Sequence, residues 1–91
     1  MSDNPQAKTT TAGKVTFCKA EGSQRLFRVE PGTSSDYALE QASVLMGCVR
    51  ELTFIGVMDN EGELVWAAHY LSSMAKALID DVEMGSRGQA R

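Results

Sequence analysis

The sequence predicts a mainly α-helical α+β domain, in which a short N-terminal β-strand or hairpin precedes a long antiparallel hairpin of two helices. Two observations predict this fold class. Short β-prone runs lie within residues 15–30, and two long segments with helix-spaced apolar residues follow, separated by a polar break. With 91 residues, 43% of them hydrophobic and 23% charged, the chain has room for one small domain, which we expect to span residues 15–84.

Both ends of the chain are polar. Residues 1–14 contain few large apolar side chains, so burial cannot offset the entropy of ordering them, and we expect a disordered lead. Residues 85–91 are glycine-rich and polar, which predicts a flexible tail.

The β-segment, residues 15–30, contains two apolar runs, VTFC at 15–18 and RLFRV at 25–29, on either side of the turn-forming residues 21–23. Two strands alone are marginally stable in water. We therefore expect them to pack on the helices or to pair with a second copy.

The first helix is predicted over about residues 35–58. Pro31-Gly32 ends the extended segment, and the hydroxyl and acidic residues at 33–36 suit a helix start. Five residues predict a core stripe: Leu39, Ala42, Met46, Val49 and Leu52. Four others widen the apolar sector beyond what one neighbouring helix covers: Tyr37, Val44, Cys48 and Ile55.

The second helix is predicted over about residues 61–83, after a short polar link at 59–62. Leu64, Leu71 and Leu78 recur every seven residues, a spacing typical of coiled coils. A lone pair of helices leaves one side of each stripe in water, so we expect homodimerisation into a four-helix bundle. The alternative is a monomer whose N-terminal hairpin covers the open side.

The sequence predicts neither an enzyme nor a bound metal or cofactor. His69 precedes Ser72 and Ser73 on one helix, but no acid or oxyanion site accompanies them. Cys18, Cys48 and His69 match no zinc spacing, and the acidic residues match no calcium loop. The roles of Cys18 and His69 stay open.

Charge and hydropathy limit the partners. Residues 34–84 carry two basic residues against nine acidic ones, a net charge of −7, which disfavours nucleic acid. No apolar run is expected to reach the roughly 18–20 residues of a membrane span, and the polar start resembles no secretory signal. We expect a cytoplasmic protein with thiols in the reduced state.

Four apolar residues near the link between the helices are predicted to contact a partner or ligand: Trp66, Tyr70, Phe54 and Met58. The alternative is that they complete the dimer core or pack under the β-hairpin.

Three segments carry a family resemblance: LFRVEPG at 26–32, DYALEQAS at 36–43 and WAAHYLSSMAKAL at 66–78. Together they resemble a group of small pseudomonad proteins, domain of unknown function 3077, over about residues 15–83. The resemblance implies a bacterial, cytosolic, self-contained domain and brings no activity, ligand or site residue with it.

These observations favour a non-enzymatic homodimer that acts by protein–protein contact, with itself and with another protein, as an interaction or regulatory module. One alternative is a binder of small apolar ligands, with an inter-helix cavity lined by Met46, Cys48, Trp66, Tyr70 and Met74. Another is an antitoxin-like or transcription-linked regulator, whose basic N-terminal arm would touch nucleic acid.

Overall fold

The computed structural model describes residues 9–89 as a β-hairpin followed by a helical hairpin. The elements are β1 (Thr16–Lys19), β2 (Arg25–Arg28), α1 (Ser35–Met58) and α2 (Gly62–Gln89). The strands are antiparallel, with Phe17 opposite Phe27. The predicted mainly helical fold, with a hairpin ahead of two antiparallel helices, is confirmed.

Local signals in the sequence set the ends of α1. The Ser34 hydroxyl caps the helix by accepting a hydrogen bond from the Tyr37 N–H at 3.4 Å. At the other end Asn60 takes a left-handed conformation, with φ of 57°, which ends the helix. The Glu61 N–H then donates to the Gly56 carbonyl at 2.8 Å and closes the link to α2.

The two helices meet along a seam of residues spaced three and four apart, all of them buried or half-buried. The seam consists of Ala38, Ala42, Leu45, Val49, Leu52 and Gly56 on α1, and Leu64, Ala68, Leu71, Ala75, Leu78, Val82 and Gly85 on α2. The leucine repeat predicted for α2 lies in this seam. The stripe predicted for α1 is partly wrong, because Leu39 and Met46 lie beside the seam and are 42% and 44% exposed.

Small residues dominate the buried core. The buried hydrophobic residues are Val29, Ala38, Ala42, Ala68, Ala75, Ala77 and Val82. Alanine lets the helix backbones approach closely but buries little apolar area. The largest fully buried side chain among the described residues is a charged one, that of Asp81.

The β-hairpin covers one broad face of the helical pair. Phe17 and Val29 share a cleft there with Leu45, Met74 and Leu78. The opposite face carries a shallow groove between the two helices, bordered by residues of both. Helical phase places further residues on this side, and we call the set the open face: Leu39, Met46, Thr53 and Val57 of α1, with Val65, Ser72 and Ile79 of α2.

Residues 9–14 correct the prediction of a disordered lead. Thr11 is 3% exposed. Its N–H donates to the Thr33 carbonyl at 2.8 Å, and its hydroxyl donates to the Glu30 carbonyl at 2.6 Å. The Ser35 N–H donates to the Thr9 carbonyl at 2.9 Å. Residues 1–8 of the predicted lead lie outside the described residues.

The C-terminal end also differs from the prediction. α2 continues to Gln89, six residues beyond the predicted end at residue 83. Gly85, assigned to a flexible tail from the sequence, is buried where the N-terminal segment crosses the helix at Thr10. This contact explains the longer helix, because packing outweighs the low helix propensity of glycine. Residues 90–91 lie outside the described residues.

By length and composition, α1 is apolar enough to cross a membrane. This finding corrects the expectation that no segment reaches that length. A core helix or a signal sequence meets the same criteria, so length and composition alone are weak evidence for a membrane span.

The crossing at Gly85 generates a prediction. A Cβ atom at Gly85 would overlap the carbonyl oxygen of Thr10, so we expect Gly85→Ala to lower the free energy of unfolding by about 1–3 kcal/mol, measured by urea denaturation. The matched control is Gly47→Ala on α1, where a Cβ meets nothing within 4 Å. We expect the control to stabilise the protein by about 0.5–1 kcal/mol, and equal effects at both sites would contradict the close crossing.

Candidate functional site

A buried carboxylate fixes the N-terminal segment to α2. Asp81 is 0% exposed. Its Oδ2 accepts a hydrogen bond from the Gly13 N–H at 2.7 Å, and its Oδ1 accepts from the N–H groups of Lys14 at 2.7 Å and Val15 at 2.8 Å. Gly13 has φ of 76°, and a Cβ there would lie 2.6 Å from the Pro31 Cβ, so glycine suits the position. These contacts place the start of β1 against α2.

The surroundings of Asp81 keep its carboxyl ionised. Burial raises its pKa, but hydrogen bonds from the backbone N–H groups of Val15, Gly13, Lys14 and Ala12 together outweigh burial and hold the pKa below its ordinary value. Both oxygens are occupied by backbone donors and covered from solvent. Asp81 therefore acts as a structural anion.

Asp81 is one of the nine acidic residues counted in residues 34–84 and was not singled out from the sequence. One signal could have found it. On a helix, residue 81 lies next to Leu78 and Val82 of the leucine-repeat side, whereas Asp80 lies on the polar side with Lys76. Lys76 and Asp80 form a surface ion pair at 2.8 Å.

A cleft of about 230 Å³, which we call the hairpin cleft, lies between the β-hairpin and the two helices. Its apolar and aromatic lining residues are Phe17, Val29, Tyr37, Ala38, Leu45, Met74 and Leu78. Its other lining residues are Thr11, Arg28, Glu30, Thr33 and Gln41. The inter-helix cavity predicted from the sequence differs from it. Met74 alone of the five residues predicted to line that cavity borders the hairpin cleft, and Met46 lies on the open face.

A second, smaller cavity of about 210 Å³ is lined entirely by Phe17, Cys18, Phe27, Tyr70 and Met74. We call it the aromatic pocket. The register of the hairpin brings the rings of Phe17 and Phe27 to a centroid separation of 5.5 Å. Cys18 between them has φ of 64°, an unusual backbone conformation for a residue other than glycine.

The four predicted contact residues do not form one cluster. Trp66 and Tyr70 lie together on α2, with ring centroids 6.1 Å apart. Phe54 and Met58 are each two residues from the seam residue Gly56. Two residues correspond to about 200° around a helix, so both side chains lie on the outer side of α1. Trp66 is two residues from Leu64 and from Ala68 and therefore faces outward from α2. The helical pair therefore separates Phe54 and Met58 from Trp66.

His69 does not form a catalytic pair with its neighbouring serines. The hydroxyls of Ser72 and Ser73 donate to the His69 backbone carbonyl, at 2.7 and 3.2 Å. The His69 ring instead contacts Trp66 and Tyr70, with centroid separations of 5.8 and 5.5 Å. Within residues 9–89 no group of three or more His, Cys, Asp or Glu side chains could hold a metal ion.

The β-hairpin and the segment that leads into it carry four basic residues: Lys14, Lys19, Arg25 and Arg28. In the described part of the chain the ion pairs are Lys76–Asp80 and Arg87–Glu83, both on the exposed surface of α2. The four basic side chains therefore have no carboxylate partner there. The same stretch also contains Glu21 and Glu30, so residues 14–30 have a net charge of +2 beside the acidic helices.

Comparison with known proteins matches residues 11–85 to a family described as "Protein of unknown function (DUF3077)". No curated protein and no solved structure matches the chain. The matched region begins at Thr11, earlier than the start at about residue 15 expected from the sequence. It therefore includes the segment that Asp81 binds.

Asp81 generates a prediction for stability. Asp81→Asn removes the charge and turns an amide NH₂ toward backbone donors, so we expect a loss of about 2–4 kcal/mol in the free energy of unfolding at pH 7. Asp80→Asn is the matched control, for which we expect less than about 0.5 kcal/mol because its ion pair is exposed.

The effect of Asp81→Asn should depend on pH. Because folding lowers the pKa of Asp81, its stabilisation is present above the ordinary value of 3.8 and is lost as pH falls through the lower folded pKa. The difference between wild type and variant, measured by urea denaturation, should therefore shrink on acidification below that value. A difference that stays constant down to strongly acidic pH would contradict an ionised Asp81.

Proposed function

The chain belongs to the DUF3077 family of proteins of unknown function, and on that premise we propose that it is a non-enzymatic, homodimeric protein–protein interaction module. One observation carries the proposal. Sixteen large hydrophobic residues in the described part of the chain are at least 38% exposed, while alanines make up most of the buried core. Apolar surface on this scale favours a partner.

The open face is the surface we assign to a second copy. Its residues recur at intervals of seven: Leu39, Met46 and Thr53 on α1, and Val65, Ser72 and Ile79 on α2. Arg50, one heptad before Val57, and Lys76, four residues after Ser72, flank this set. A heptad-spaced and mostly apolar face on a helical pair suits association with an identical face, which would produce a four-helix bundle.

The energetics support the same contact. Leu39, Met46, Val65 and Ile79 are each 41–44% exposed. Covering the rest of such a side chain stabilises the protein by roughly 1 kcal/mol, and a two-fold axis doubles every contact. This gain adds to the burial within a seam whose leucines are only half-buried.

The arrangement of polar groups supports an interaction role over catalysis. The Asp81 carboxylate is occupied by backbone N–H groups, and the serine hydroxyls near His69 donate to its backbone carbonyl. Each of these groups already has a structural partner. Neither arrangement activates a nucleophile.

The dimer generates a prediction. We expect light scattering to give twice the 9.9 kDa chain mass for the wild type. Met46→Glu places a charge on the open face and should weaken the dimer at least about tenfold. Val44→Glu is the control, since Val44 is 55% exposed but lies off that face. A wild-type mass of one chain at all concentrations would contradict the proposal.

A second candidate function is the binding of a small apolar ligand, which the hairpin cleft favours. Its volume of about 230 Å³ is below the roughly 300–1,000 Å³ typical of such sites and would suit only a compact ligand, and six of its twelve lining residues are apolar. Arg28 and Gln41 also line it and could hold a polar end of the ligand.

The cleft generates its own prediction. In a thermal-shift screen of small apolar carboxylates and aromatic compounds, we expect at least one to raise Tm, since a ligand that binds only the folded state stabilises it. Leu45→Trp should fill the cleft and abolish that shift. Compounds that leave Tm unchanged, or that act equally on both proteins, would exclude the cleft as their site.

A further inference from the structure

We propose that the aromatic pocket takes a large apolar side chain from an acidic, extended segment of another protein. The pocket lies between the β-hairpin and α2 and is lined by residues of both. The inference extends the interaction function to a second surface, on the opposite side of the helices from the open face. It holds whether or not two copies associate.

The size and lining of the pocket indicate its occupant. Its volume of about 210 Å³ is below the roughly 300–1,000 Å³ typical of small-molecule sites. Its five lining residues are aromatic or sulfur-containing, with no charged side chain. Such a pocket suits one anchoring side chain of a protein ligand.

The rim of the pocket has the composition of an interface. Phe27 and Tyr70 line the pocket and are 55% and 52% exposed, and Trp66, whose ring centroid lies 6.1 Å from that of Tyr70, is 62% exposed. Large exposed aromatic residues grouped around a pocket are typical of the residues that contribute most to binding. These side chains lie on two different elements, so a partner segment would contact the hairpin and α2 together.

The charge beside the pocket selects an acidic partner. Lys19, Arg25 and Arg28 lie on the strands next to Phe17 and Phe27 and have no ion pair among the described residues. Complementary charge favours an acidic segment and disfavours a basic one. Single-stranded nucleic acid also combines negative charge with stacking groups. The exposed edge of β2 favours the peptide, because it can pair with the backbone of an extended peptide and not with that of a nucleic acid.

The edge of β2 indicates the conformation of the partner. All four residues of β2 are exposed, and β1 is its one neighbour in the described sheet. An edge strand offers unpaired backbone groups, to which an extended peptide can add as a further strand. A strand added there would lie along the side chains of Arg25 and Arg28.

The test uses the full chain and a labelled probe peptide, DEDFDED, followed by fluorescence anisotropy. We expect DEDFDED to bind at least about tenfold tighter than either of two control peptides. DEDADED lacks the anchoring phenylalanine, and KKKFKKK reverses the charge. Trp66, the one tryptophan in the chain, should change its emission when the peptide binds.

Charge-reversal variants locate the site. Arg25→Glu and Arg28→Glu should each weaken binding of DEDFDED about tenfold. Arg50→Glu makes the same change of charge on the exposed surface of α1, away from the hairpin, and should leave binding unchanged. Melting curves for each variant separate lost binding from lost folding.

Four outcomes would overturn the proposal. The first two are no binding of DEDFDED up to about 1 mM and equal binding of the acidic and basic peptides. The other two are equal effects of Arg28→Glu and Arg50→Glu on binding of DEDFDED, and tighter binding of a (dT)10 oligonucleotide than of DEDFDED. A monomeric mass in light scattering would overturn the dimer alone. The two proposals therefore fail separately.

Discussion

The fold depends on one buried anion. The Asp81 carboxylate satisfies three consecutive backbone N–H groups, of Gly13, Lys14 and Val15, that precede the first strand. Without it these donors would be left next to α2 without acceptors, and an unpaired buried donor is costly. Because the segment is fixed there, β1 begins against α2 and the hairpin lies over the helices. The hairpin cleft and the aromatic pocket both follow from that placement.

The alanine-rich seam is the second constraint. Helices that meet through Ala38, Ala42, Ala68 and Ala75 can approach closely, and the leucines between these alanines are only half-buried. Methionine and aromatic residues lie outside the seam, on the broad faces and the outer sides of the pair. On one face the β-hairpin covers part of them, and on the other nothing in the described chain does. The exposed apolar surface therefore lies where neither the seam nor the β-hairpin covers it.

Much of the fold could be predicted from the sequence, because the signals are local. Heptad-spaced leucines placed the seam of α2, and the serine cap and the left-handed Asn60 lie at the predicted ends of α1. The predictions failed where distant residues decide. Nothing near Gly85 indicates that a segment more than seventy residues earlier crosses it, and polar residues 9–14 are ordered by contacts made elsewhere in the fold. The sequence predicts one group of contact residues, but the position of the seam directs Phe54 and Trp66 to opposite sides of the helical pair.

The hydrogen bonds of Asp81 also determine the order in which parts of the fold can form during synthesis. Its hydrogen bonds join residues 66 to 68 positions apart, so the acceptor leaves the ribosome long after its donors. Until then the β-hairpin has no helix to rest on, and two short strands are marginal alone. Contacts so distant in sequence form late and slow the search for the native state. A nascent chain halted before α2 would expose Phe17 and Phe27 to chaperones and proteases, and the hydrogen bonds to residues 13–15 can form only after Asp81 has emerged.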